Sequence, residues 1–177
     1  KKDPSRYISE LWIARIYIEQ NKYSEAKLLL DELQETALNQ KKKTLKGVFE
    51  VFKKKNPEEN QEPKMTKSLQ FEIYKTQADL AIKRKQFDEA AFSLSNAVKT
   101  VNNKQEKARL YFILGQIYQQ NGSVESAQDN YSKALSAAAL YEVSFNARLN
   151  RAMLGNNNKL SKGLDKMLRD GKNAPYK

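Results

Sequence analysis

The sequence predicts an all-α protein, a solenoid of stacked helix hairpins, from three observations. One set of small and bulky apolar residues occurs three times at steps of three, nine, four and three residues. The copies are Ala14, Tyr17, Ala26, Leu30, Leu33, then Ala78, Ala81, Ala90, Leu94, Ala97, then Gly115, Tyr118, Ala127, Tyr131, Ala134. Steps of three and four keep side chains on one stripe of a helix, and the step of nine crosses a tight turn into a second helix. Second, the smallest residues (Ala14, Ala78 and Gly115 in the first helices, Ala26, Ala90 and Ala127 in the second) fall where two backbones must approach closely; larger side chains would wedge the pair apart. Third, the 177 residues include only six glycines and four prolines, so long helices with few breaks are expected.

In the first pair, about 7–38, Pro4 is excluded from a helix interior and Ser5 can accept an orphan backbone N–H, so a helix is expected from Tyr7 to Gln20. Asn21 and Lys22 make the turn, Ser24 opens the second helix, and Ala26 to Leu33 carries its buried stripe. The run Leu28-Leu29-Leu30 is too broad for a lone hairpin and calls for a neighbour on its other side. Copies one and two lie 64 residues apart and copies two and three 37, so a Lys-rich insertion, 41–66, separates the first two. Within it Leu45, Val48, Phe49 and Phe52 predict a short amphipathic helix over 44–55, and Pro57 and Pro63 a polar loop over 56–66. Two readings stand for the insertion, a docking element or a cap on an exposed edge.

The second pair, about 68–101, turns at Lys85-Gln86, with Phe87 packing beneath the turn. The third, about 105–139, turns at Asn121-Gly122-Ser123, where glycine can take a positive φ. A degenerate fourth pair, 141–170, follows. Its first helix places Phe145, Leu149 and Met153 at burial spacing, Asn156-Asn157-Asn158 breaks it, and a short helix covers 160–168. The last residues offer no sealing helix, which predicts that the chain stops inside a longer array; Lys rather than Met at position 1 predicts sequence upstream.

Composition narrows the chemistry. There is no cysteine and no histidine, which excludes thiolate nucleophiles, imidazole bases and the usual zinc ligand sets. The paired carboxylates Asp31-Glu32, Glu58-Glu59 and Asp88-Glu89 are adjacent and point different ways on a helix, so they do not converge as acid–base partners. No catalytic, cofactor or metal site is read. No apolar run approaches the ~18 residues of a membrane span. The net charge of +11 is uneven: residues 41–55 carry seven lysines against Glu50, and 148–177 carry eight basic residues against Asp165 and Asp170. Such patches favour anionic partners, nucleic acid among them, or simply solvate helix surfaces.

The repeated pattern resembles the tetratricopeptide repeat, most closely where Tyr111, Leu114, Gly115, Tyr118, Ala127, Tyr131 and Ala134 fill its marked positions. That resemblance implies a right-handed superhelix whose first helices line a concave, protein-binding side. Residues 141–152, followed by 166–170 and 172–177, are similar to the PorW/SprE tetratricopeptide lipoproteins. The resemblance implies a periplasmic component of the type IX secretion and gliding-motility machinery of Bacteroidota, joined to other proteins of that complex and held at the outer membrane by a lipid anchor outside this sequence.

Function is then expected from a surface. Register places Arg15, Glu19, Lys75, Asp79, Arg109, Phe112, Gln116, Arg148 and Arg151 on the concave side, as candidates for gripping a protein partner through charge-assisted bonds.

Overall fold

Each apolar copy folds as a helix hairpin, as its spacing requires. The computed structural model describes residues 5–50, 65–137, 140–155, 165 and 167–171, with the backbone alone over 41–50. Its helices are α1 (Ser5–Glu19), α2 (Tyr23–Glu50), α3 (Lys67–Lys83), α4 (Phe87–Thr100), α5 (Lys104–Gln120), α6 (Val124–Ser136) and α7 (Tyr141–Met153), and no strand occurs among the described residues. Two units form: Lys1–Val101 holds α1 to α4, and Asn102–Lys177 holds α5 to α7.

The three hairpin turns are built alike. Asn21 (φ 60°), Lys85 (φ 58°) and Gly122 (φ 75°) are left-handed, separated by the same 64 and 37 residues as the apolar copies. After each, an N–H reaches back to close the helix end: Lys22 donates to the Tyr17 carbonyl, Gln86 to that of Ala81 and Ser123 to that of Tyr118, each at 2.8 Å. This is the six-to-one bond that accompanies a left-handed C-terminal residue. The next helix starts at once, with the Ala26, Ala90 and Ala127 N–H groups bonded to the carbonyls of Lys22, Gln86 and Ser123. Glycine suits this conformation and asparagine tolerates it, but lysine at position 85 holds it against steric cost.

Close approach of the paired helices is the second shared device. Ala14, Ala26, Ala90 and Ala127 are fully buried. At Gly115 even one methyl group has no room: a Cβ there would lie 2.5 and 2.6 Å from Cε1 and Cδ1 of Tyr131. The corresponding pairs in the first unit are Ala14 with Leu30 and Ala78 with Leu94, so the bulkier tyrosine is matched by the smaller glycine. The Tyr131 ring is itself fully buried. Its hydroxyl donates to Gln119 Oε1 at 2.7 Å and accepts from Asn150 Nδ2 at 3.3 Å, and Phe112 lies tilted 5.8 Å away.

Within the first unit α3 packs onto both helices of the first hairpin. Ile73 and Leu80 join Leu11, Ile18, Leu30 and Leu33 in one core, and Gln77 donates to Gln34 across α3 and α2. Within the second, α7 seats on α6 through the fully buried Ala147, the Asn150–Tyr131 bond, and Gln128, which donates to the Leu154 carbonyl at 3.0 Å.

Several expectations are revised. No separate helix begins near Thr44, because α2 continues unbroken to Glu50; neither proline nor glycine precedes Gly47 to stop it. The remainder of the insertion up to residue 64 lies outside the described residues, as does most of 160–168. Of the leucine run, Leu30 is buried and Leu29 packs against the core, whereas Leu28 is 64% exposed. Three consecutive helix residues point about 100° apart, and its neighbours cover only two of those directions. On α7 Ala147 is the fully buried residue, Phe145, Leu149 and Asn150 are half-buried, and of the three positions expected at burial spacing only Met153 turns outward, at 60% exposed. The small Ala147 lets α7 approach the hairpin that carries Tyr131.

Candidate functional site

In the first unit the candidate residues on α1 and α3 are joined to one another by charge. Arg15 donates to Glu72 Oε2 at 2.7 Å and, through Nε, to the hydroxyl of buried Thr76 at 3.1 Å. The Thr76 hydroxyl in turn donates to the Glu72 backbone carbonyl at 2.8 Å. Glu72 also receives Lys75 at 3.5 Å, whose ammonium lies 4.9 Å from the Phe71 ring. Further along, Glu19 accepts from Lys83 at 2.6 Å and Asp79 lies 3.8 Å from the same ammonium. Hydrogen bonding to Glu19 is the main reason the Lys83 ammonium holds its proton above the ordinary lysine value, with Asp79 adding to it. Arg15 and Lys83 thus bind α1 to α3. Glu72, Thr76 and Lys83 are not among the candidates, because pairs 57 to 64 residues apart leave no local signal in the sequence.

Beside this network runs an apolar stripe that sequence reasoning passed over. Ile8, Trp12 and Ile16 follow one another at one-turn spacing on α1 and are each about half exposed. Arg15 stacks 5.0 Å from the Trp12 ring. Sixty-four residues on, the same register positions of α3 hold Glu72, Thr76 and Leu80, which face the first hairpin. In α1 these positions meet solvent instead. The repeat register could have exposed the stripe, had buried and exposed copies of one position been compared.

The second unit leaves its candidates less engaged. Arg109 and Gln116 are exposed on α5, and Arg148 on α7, and none makes a hydrogen bond or ion pair among the described residues. Arg109, Phe112 and Gln116 share one face of α5 by their spacing. Phe112 is half-buried, turned toward the Tyr131 ring. Arg151 departs from its expected place: its guanidinium donates to Ser132 Oγ on α6 at 3.1 Å, so it faces the second helix of the hairpin. Residue 151 lies one helical turn beyond the buried Ala147 and so shares the side of α7 that packs on α6.

Among the described residues no helix is long and apolar enough to cross a membrane. No curated protein matches the sequence. Residues 108–139 match the family model described as Tetratricopeptide repeat. That stretch contains Gly115, the left-handed Gly122 turn and the pinned Tyr131, and the chain therefore carries a tetratricopeptide repeat.

Proposed function

We propose that this chain is a non-catalytic protein-interaction scaffold and an accessory component of the type IX secretion and gliding-motility machinery. On this reading it works in the periplasm as part of a lipoprotein anchored at the outer membrane, its helix pairs forming one array. The tetratricopeptide repeat supports the general statement, since such repeats suggest protein–protein interaction. The resemblance of 141–152, 166–170 and 172–177 to the PorW/SprE lipoproteins supports the particular machinery. One observation carries the choice of surface: Arg109 and Gln116 stand exposed on the first helix of the matched repeat with no partner among the described residues. With Arg148 they are the candidate contacts, while Arg15, Glu19, Lys75 and Asp79 would act through the ion-paired surface of α1 and α3.

Pull-down from an envelope extract, comparing the parent chain with an Arg109→Glu/Gln116→Glu variant, tests this. Recovery of secretion-machinery proteins by the parent and their loss from a folded variant is the expected result. Failure of the folded parent to recover any of them would count against the assignment.

A second reading, a basic adaptor for nucleic acid or another polyanion, draws on the lysines of 41–55 and the basic residues of 148–177. Of these, Arg151 is already engaged by Ser132, and no base-stacking module is recognisable. Titration with single- and double-stranded oligonucleotides across a salt series separates the readings, with negligible binding at physiological salt expected here.

A further inference from the structure

On the other side of the first unit, where the second helices α2 and α4 flank α3, lies a cleft of about 340 Å³. That is the small end of ligand-sized clefts. Leu30, Leu80 and Ala81 line its interior, all buried, and Phe92 forms a wall with 65% of its surface exposed. Asp31, Asp88 and Glu89 also line it, against the single cation Lys27. Lys27 lies 3.9 Å from Glu89, with both side chains about half exposed. The lining is therefore net negative in a chain whose overall charge is +11.

Two polar groups in the cleft have no partner among the described residues. Asp31 makes no ion pair or hydrogen bond, and Ser93, only 8% exposed, has an unbonded hydroxyl. Serines inside helices ordinarily bond a carbonyl one turn back. Ser132 and Ser136 do so in α6, donating to the carbonyls of Gln128 and Ser132. The Ser93 residue is otherwise buried and its hydroxyl opens onto the cleft, where an entering group can meet it.

We propose that this cleft takes one lysine or arginine side chain from an extended segment of a partner protein. Such side chains have an apolar stem and a charged head, and the cleft offers both surfaces in order. The stem lies along Leu30, Leu80 and the face of Phe92, which also attracts the cation. The head reaches Asp31 and its neighbouring carboxylates, and the Ser93 hydroxyl accepts one of its N–H groups. The cleft is too small to admit a helix, so recognition rests on one anchoring residue. This site is lined from α2, α3 and α4, none of its lining residues is one of the candidate residues of the first helices, and it stands independently of the proposal for them.

Amide-resolved NMR of the full chain, titrated with acetyl-Leu-Lys-Leu-amide and with its norleucine counterpart, tests the assignment. The lysine peptide is expected to shift the amides of Asp31, Phe92 and Ser93, and the norleucine peptide to leave them in place. Asp31→Asn and Ser93→Ala should each weaken the lysine peptide by about fivefold or more. Asp31 is solvent-exposed on α2, so its variant keeps the fold and the test stands even if Ser93→Ala does not. Equal response to the two peptides, shifts elsewhere, no shift at millimolar peptide, or parent-like binding by a folded Asp31→Asn would each overturn the proposal. So would movement of the same amides on raising protein concentration alone, which would mean that a second copy fills the cleft.

Discussion

Gly115→Ala should destabilise the second unit, although inside a helix alanine normally improves on glycine by about 1 kcal/mol. The new methyl carbon would sit 2.5 and 2.6 Å from two ring carbons of Tyr131, where carbon atoms prefer about 3.5–4.0 Å. The ring has little freedom to yield: it is fully buried, its hydroxyl is held by Gln119 and Asn150, and Phe112 packs beside it. Overpacking costs about 1–3 kcal/mol, and a ring this firmly held puts the cost at about 2–3 kcal/mol, so after the helical gain a net loss of about 1–2 kcal/mol is expected. For a unit of this size that lowers the melting temperature by about 5–10 °C. Tyr131→Leu alone should cost about 2–4 kcal/mol through the space and hydrogen bonds lost. In its background, however, Gly115→Ala recreates the Ala78–Leu94 and Ala14–Leu30 pairs of the first unit and should stabilise by about 1 kcal/mol. The sign change gives a coupling of about 2–3 kcal/mol, measurable by urea and thermal unfolding followed by far-UV circular dichroism. A Gly115→Ala variant that melts at or above the parent would refute the size-matching argument.

Other outcomes follow from the same geometry. Lys85→Gly should raise stability by about 0.5–1 kcal/mol, since relief of a left-handed lysine (about 1–2 kcal/mol) outweighs glycine's greater freedom when unfolded; Gly122→Ala should lower it by about 1 kcal/mol, and urea midpoints compare the two. Arg15→Met should cost about 0.5–1.5 kcal/mol, modest because Arg15 and Glu72 are each about a third exposed. It should also alter the emission of Trp12, the only tryptophan, by removing the guanidinium 5.0 Å from its ring. Burial pushes the Tyr131 phenol above its ordinary value of 10.0, partly offset by its hydrogen bond with Asn150. Because the folded value is the higher, its contribution to stability is complete below about pH 10 and is lost as pH rises through the folded value. Ultraviolet titration should show a late-ionising step that vanishes in Tyr131→Phe.

What could be read from the sequence was whatever repeats within one hairpin. Small residues at Ala14, Ala78 and Gly115 report a backbone contact only a turn away along the chain, and Gly122 names its own conformation. Lys85 does not, because its left-handed φ is imposed by the helix end closing around it, and only alignment with Asn21 and Gly122 discloses it. The extension of α2 to Glu50 was hidden for a related reason. Its apolar stripe gives way to lysines at residue 41, so periodicity suggested a boundary although no residue there stops a helix.

Surface chemistry follows a different rule, because it depends on how one hairpin meets the next. Arg15 was read as available to a ligand, yet Glu72 and Thr76, far along the chain, engage it. Register places Arg151 on the concave side, yet it lies one turn from the buried Ala147 and donates to Ser132. The α2–α4 cleft exists only because α3 spaces those two helices, so no window of sequence contains it. Repeat register therefore predicts which side chains leave a helix on a given face, while packing between hairpins decides which of them are already spoken for. A position such as 12 shows the difference directly: Thr76, its counterpart in α3, is buried against Arg15, while Trp12 in α1 is 57% exposed. The same register position can serve as core or as surface, and only the neighbouring hairpin determines which.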